Sequence, residues 1–111
     1  MLTARVRKEL RSIDQFARYG GEEFTVILPG TPKASLKDVA ERLREAIAGK
    51  PFRIDENAIF ITISIGGVTS PEDATDVRGL VQAADHALYR AKAGGRNTVS
   101  VTGMPTSPNP E

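Results

Sequence analysis

The chain contains no cysteine among its 111 residues, so disulfide bonds and thiolate metal sites are both excluded. It has no apolar run long enough to cross a membrane, and no secretory signal pattern stands at its start. We therefore expect a cytoplasmic protein that makes no membrane contact through this chain.

An excess of charge of one sign is also missing, because the formal net charge is only +1. A chain so close to neutrality gives no reason to expect a nucleic acid polymer as a partner. Any phosphate group would have to be bound by individual lysine and arginine side chains. Hydrophobic residues make up 40% and charged residues 26%, which is ordinary for one small globular domain.

Two adjacent glycines followed by two adjacent glutamates, Gly20-Gly21-Glu22-Glu23, form the most informative stretch of the chain. Strand-like apolar runs lie on both sides, which predicts a β-hairpin with the glycines at its tip. Neighbouring carboxylates repel each other and attract a cation, and phosphate-bound Mg²⁺ takes such oxygen ligands. By itself, the pair would more often be two solvated acids in a surface turn.

With Phe24 added, this stretch resembles the GGDEF signature of diguanylate cyclases, in the variant with glutamate at the third position. Two later segments resemble further motifs of the family in the same order, namely Ser64-Ile65-Gly66-Gly67-Val68 and the run from Ala84 to Asn97. The resemblance covers roughly Leu2 to Val101. It implies an α+β fold with a mostly antiparallel sheet, related to ferredoxin-like and nucleotidyl-cyclase-like domains.

The periodicity of apolar residues independently predicts the order α-β-β-α-β-β-α-β, which also indicates α+β. The strongest predicted strand is Ile59 to Val68, where isoleucines alternate with other residues. Thr31 is predicted to cap the second helix, with Pro32 at its first position. We assign residues 1–102 to a partial GGDEF domain and residues 103–111 to a flexible, proline-rich tail.

The front of the domain departs from the family pattern. The resemblance implies an earlier central strand carrying a metal-binding aspartate, and an earlier helix that grips the guanine base, yet neither segment is found in this sequence. We therefore expect a GGDEF domain truncated at its N-terminus. A missing central strand would leave backbone groups unpaired on its neighbours, which predicts a homodimer or a strand-swapped oligomer.

The resemblance also implies roles for the substrate-site residues. Glu22 and Glu23 would be catalytic and would bind Mg²⁺ (or Mn²⁺), with Glu22 helping to deprotonate the attacking 3′-hydroxyl of GTP. Gly20 and Gly21 would leave room for the nucleotide. Lys92 and Arg96 would contact the triphosphate; without the resemblance, they would be two cations offsetting a helix dipole. These six residues form the candidate substrate site.

A second site is implied by Arg11, Asp14 and Arg42, which match the family's inhibitory site for the product cyclic di-GMP. Arginine can donate two hydrogen bonds to a guanine edge, and a carboxylate can accept from the opposite edge. The spacing of Arg11 and Asp14 suits a local ion pair equally well.

Three functions therefore stay open. The chain is part of a diguanylate cyclase, which condenses two GTP into cyclic di-GMP plus pyrophosphate, with weak or absent activity when truncated. Alternatively, it is a non-catalytic cyclic di-GMP receptor that uses the Arg-x-x-Asp site. The third reading is a structural remnant without activity.

Overall fold

The computed structural model describes residues 2–18 and 24–103 of the chain. Three helices and six short strands are found within these residues. In chain order they are α1 (Leu2–Lys8), β1 (Gln15–Arg18), β2 (Phe24–Ile27), α2 (Lys33–Ala48), β3 (Phe52–Ile54), β4 (Asn57–Ile59), β5 (Ile65–Gly67), α3 (Val77–Ala93) and β6 (Val99–Val101).

The strands form three separate pairs. β1 runs antiparallel to β2 with Arg18 opposite Phe24, and β3 runs antiparallel to β4 with Phe52 opposite Ile59. β5 and β6 are parallel, because the whole of α3 lies between them and forms the crossover that parallel pairing needs. With two of three pairs antiparallel, the predicted α+β class is confirmed.

Helix α2 carries the centre of the core. Its apolar residues recur at intervals of three and four, so they share one face of the helix. Leu43 and Ile47 pack with Val6 of α1 and Phe52 of β3 in one buried cluster. Ala40 packs with Val99 and Val101 of β6 in a second cluster, and partly buried Ile65 touches both. The core therefore lies between α2 and the strands.

The long strand predicted from Ile59 to Val68 is wrong. The chain forms β4 and β5 instead, and residues 60–64 have no regular secondary structure. The alternation did indicate the inward side chains, because Ile61 and Ile63 pack on the core while Phe60 is 68% exposed. A strand also needs a hydrogen-bonded neighbour. Pairing with β3 ends at Ile59 and pairing with β6 begins at Ile65.

The predicted cap of α2 is also wrong. Pro32 occupies the N-cap position in extended conformation, and no side chain caps the helix there. The Thr31 hydroxyl instead accepts a hydrogen bond from Nη2 of Arg11 at 3.1 Å. By contrast, the carboxylate of Asp76 caps α3 by accepting from the backbone N–H of Gly79 at 2.7 Å.

Candidate functional site

The acidic motif stands between β1 and β2. Their register ends at the pair Arg18 and Phe24, so the prediction that the motif joins two antiparallel strands is confirmed. Gly20, Gly21, Glu22 and Glu23 lie outside the described residues. Their roles in binding GTP and metal therefore stay predictions.

A cavity of about 700 Å³ lies between α1, α2, β2, residues 61–68 and α3. Most of its lining is apolar, and two cationic residues, Lys92 and Arg96, stand on its wall. Phe24, which directly follows the acidic motif, lines the same cavity and stacks on Phe16 with ring centroids 5.2 Å apart. The structure thus brings three parts of the sequence signature, Phe24, Gly66 and the pair Lys92/Arg96, to one cavity.

Gly66 allows α3 to lie close to β5. A Cβ placed on Gly66 would stand 2.3 Å from the backbone nitrogen of Leu88 and 2.7 Å from the carbonyl oxygen of Ala84. No side chain fits this gap, so glycine is required by the packing of strand against helix. Because β5 and α3 lie so close together, the position of α3 is fixed, and with it the position of Lys92 beside the cavity.

The two cations are held in different ways. Lys92 is in the last turn of α3, while Arg96 follows the glycines that end the helix. Arg96 has a φ of +62° and Asn97 one of +47°, both in the left-handed region that residues with a Cβ rarely adopt. The Arg96 amide donates to the carbonyl of Ala91 at 3.2 Å, which keeps the turn folded against the helix end.

Arg11 and Asp14 form a tight ion pair at 2.7 Å. Nε of Arg11 also donates to the carboxylate, and so does the backbone N–H of Arg11 at 2.7 Å. These hydrogen bonds lower the pKa of Asp14 below its ordinary value, and the same contact raises the pKa of Arg11. Nη2 of Arg11 further donates to the carbonyl of Pro29 at 2.9 Å, so the pair is tied to the turn that follows β2.

A smaller pocket of about 330 Å³ has Arg11, Asp14 and Arg42 in its lining, and the product-binding role that the resemblance implies for them stays a prediction. Arg42 is held by a residue that the sequence did not indicate. Its Nε donates to the carboxylate of Glu9 at 3.1 Å, and its Nη2 donates to the Glu9 backbone carbonyl at 3.1 Å. Glu9 is 33 residues away in sequence, so no local spacing could have indicated it.

A second unpredicted pair joins α2 to the loop before α3. Lys33 Nζ contacts Asp73 Oδ1 at 2.7 Å, and the Thr69 backbone N–H donates to Asp73 Oδ2 at 2.8 Å. Burial favours a higher pKa for Asp73, but the hydrogen bonds from Lys33 and Thr69 outweigh it and lower the pKa below its ordinary value. The pair fastens the loop that follows β5.

The family model described as "Diguanylate cyclase, GGDEF domain" matches residues 1–98. The chain belongs to the GGDEF domain family. Diguanylate cyclase DgcP of Pseudomonas aeruginosa is 42% identical over 101 residues, which cover 91% of this domain's chain and 15% of that protein. These comparisons confirm the resemblance on which the site predictions rest.

Solved structures confirm the GGDEF fold. Diguanylate cyclase SiaD from Pseudomonas aeruginosa, solved with its activator SiaC, has a TM-score of 0.81 at 30% identity, over 91% of this chain and 38% of that chain. The active GGEEF domain of a diguanylate cyclase from Vibrio cholerae has a TM-score of 0.76 at 25% identity, over 94% of this chain and 65% of that one.

The GGDEF chain spans only a small part of its curated relatives, between 15 and 25% of the length of the first four. Among the described residues, no three histidine, aspartate or glutamate side chains come together as a metal-binding group. None of the helices in residues 2–18 and 24–103 has the length and apolar character that a bilayer crossing requires.

Proposed function

We propose that this GGDEF domain binds GTP and acts in a diguanylate cyclase that joins two GTP molecules into cyclic di-GMP. One observation carries the proposal. Lys92 and Arg96 line the same cavity as Phe24, the residue directly after the acidic motif. A nucleotide triphosphate needs cations for its phosphates and carboxylates for its metal, and the family supplies both kinds of group from these segments.

In the proposed reaction, the 3′-oxygen of each GTP attacks the α-phosphorus of the other. A new P–O bond forms at each centre as the bond to the β-phosphate oxygen breaks, and two pyrophosphates leave. Because each nucleotide attacks the other, two domains must face each other, which favours a homodimer in the active state. Protein groups then act mainly by positioning the reactants and neutralising charge.

Each proposed substrate residue has a defined task. Lys92 binds the phosphates as a point charge, and Arg96 binds them with its planar fork of donors. Glu22 and Glu23 supply carboxylate oxygens, which is a donor set that suits Mg²⁺ or Mn²⁺. A metal held by these carboxylates would neutralise charge on the phosphates, and Glu22 would help to remove the proton of the 3′-hydroxyl. Gly20 and Gly21 leave space for the nucleotide.

The test is turnover of GTP with Mg²⁺ by the protein that carries this domain, followed by chromatography of cyclic di-GMP. Lys92→Ala should lower turnover about a hundredfold or more, since phosphate contacts strengthen as charge develops. Glu22→Ala should abolish it and leave the thermal melt unchanged. Arg53→Ala, which removes an exposed cation on β3, is the matched control and should keep full activity. Full activity of Glu22→Ala would refute the proposal.

A second candidate function is that of a cyclic di-GMP receptor. It is favoured by the pocket that Arg11, Asp14 and Arg42 line together. Calorimetric titration of the chain with cyclic di-GMP should show binding that Arg11→Ala abolishes and Arg53→Ala leaves intact. Binding without GTP turnover would favour the receptor, and turnover would favour the cyclase. An absence of both would favour a structural remnant.

A further inference from the structure

We propose that Arg44 is a positioning residue that holds Arg96 in place for phosphate binding, an inference that rests on the proposed function. Arg44 is in α2 and touches neither Lys92 nor Arg96 through any hydrogen bond seen in the described residues. It acts through Asn97, the residue that follows Arg96 in the chain. No sequence motif points to this contact, because Arg44 and Asn97 are 53 residues apart.

Arg44 makes two side-chain hydrogen bonds. Nη1 of Arg44 donates to Oδ1 of Asn97 at 3.1 Å, and Nε of Arg44 donates to Oε1 of Glu41 at 2.8 Å. The Arg44 side chain is only 13% exposed. Glu41, one turn before Arg44 on the same helix, therefore fixes the guanidinium, which in turn holds the Asn97 amide. A guanidinium that is hydrogen-bonded through both Nε and Nη1 keeps little rotational freedom.

Asn97 is held from a second direction. Its backbone N–H donates to the Ser64 hydroxyl at 3.1 Å, just before β5 begins. The turn is thus bound to α2 through Arg44 and to the strand region through Ser64. Two tethers on one residue restrict both its side chain and its backbone.

The turn needs these tethers because its backbone conformation is unfavourable. Arg96 and Asn97 both have positive φ. Unlike asparagine, arginine has no short polar side chain that could stabilise this left-handed conformation by a local hydrogen bond. Left-handed residues that carry a Cβ persist when surrounding contacts hold them, and they are concentrated at functional sites. Of these two residues, Arg96 lines the cavity. Without the tether from Arg44, the turn can relax and the Arg96 fork loses its fixed direction.

The first test is amide hydrogen exchange by NMR on the 111-residue chain. In Arg44→Ala, exchange at Arg96 and Asn97 should become about tenfold faster, since a charged hydrogen bond that ordered the turn is lost. Arg90→Ala is the matched control. It removes an exposed arginine in the last turn of α3 whose Nη2 donates to the Thr102 hydroxyl, and it should leave both rates unchanged. Unchanged exchange in Arg44→Ala would overturn the inference whatever the chain binds.

The second test is a double-mutant cycle on binding of GTP·Mg²⁺ and of inorganic triphosphate, measured by calorimetry. Arg44→Ala should weaken both affinities about tenfold, equivalent to about 1.4 kcal/mol. In the Arg96→Ala background, the same substitution should cost nothing, because Arg44 acts only through Arg96. A residue that merely stabilised the fold would weaken binding in both backgrounds.

The outcomes separate the two proposals. If neither the unaltered chain nor the protein that carries this domain binds either probe, the proposed function is contradicted, and the hydrogen-exchange test still decides the positioning role. If the unaltered chain and Arg44→Ala bind triphosphate equally, only the positioning role fails. If Arg44→Ala weakens binding equally with and without Arg96, the positioning role also fails, and Arg44 serves the fold as a whole.

Discussion

Replacing Gly66 by alanine tests the packing that sets the height of α3 over the cavity. The new Cβ would stand 2.3 Å from the nitrogen of Leu88, 2.7 Å from the oxygen of Ala84 and 2.8 Å from the carbonyl carbon of Ala87. All three atoms belong to the backbone of α3, so no side chain can rotate away. The helix itself must move off β5 by about 1 Å to reach ordinary contact distances.

Moving the helix off β5 destabilises the folded domain. Overpacking of a core costs about 1–3 kcal/mol, and a clash with immovable backbone belongs at or above the upper end. We therefore expect Gly66→Ala to lower the free energy of unfolding by about 3 kcal/mol or more. For a domain of this size, that corresponds to a fall of about 15 °C in Tm.

The adjacent glycine is the matched control. A Cβ on Gly67 would meet Cδ2 of Leu36 at 3.2 Å and Cγ2 of Val101 at 3.3 Å, which are the ends of side chains. These atoms can shift by a few tenths of an ångström, so Gly67→Ala should change stability by less than about 1 kcal/mol. Urea denaturation followed by circular dichroism compares the two. Equal losses, or a milder effect at Gly66, would refute the packing argument.

Two further predictions concern contacts far apart in sequence. Arg5→Met should lower the free energy of unfolding by about 1–2 kcal/mol in urea denaturation. The guanidinium donates to two carbonyls in the last turn of α2 and two just after the helix, and it lies 3.6 Å from the centre of the Phe52 ring. A loss no greater than that of exposed Arg53→Met would contradict this. The pKa of Asp73 is lowered in the folded state, so its ion pair with Lys33 contributes stability above the unfolded pKa near about 4 and loses it as pH falls further. The stability gap between the unaltered chain and Asp73→Asn should therefore be constant at neutral pH and close in acid; a gap that widens below pH ~4 would contradict the assignment.

Local patterns predicted the parts of this domain whose structure depends on near neighbours in sequence. The spacing of apolar residues along α2 places Leu43 and Ile47 on one face of the helix, and both are buried. The three-residue spacing of Arg11 and Asp14 left a local ion pair open beside the product-binding site, and the structure contains the ion pair. The signature residues could be placed on a hairpin because strands flank them on both sides.

Features that depend on tertiary partners could not be predicted in the same way. The run from Ile59 to Val68 has the composition of a strand, yet hydrogen bonding to a neighbour decides where a strand exists. The contacts of Arg44 with Asn97 and of Arg42 with Glu9 join residues more than thirty positions apart. Nothing in their local spacing indicates which pairs will meet, because the packing of α2 brings them together.

The central claim is that one metal-bound nucleotide lies between the acidic motif and the cationic wall of the cavity. Paramagnetic Mn²⁺ bound to GTP tests this directly, since it broadens the NMR signals of nearby residues in the labelled chain. Selective broadening is expected at residues 19–24 together with Lys92 and Arg96, with little effect at Arg11 and Asp14. Broadening centred on Arg11 and Asp14, or none at Lys92 and Arg96, would contradict it.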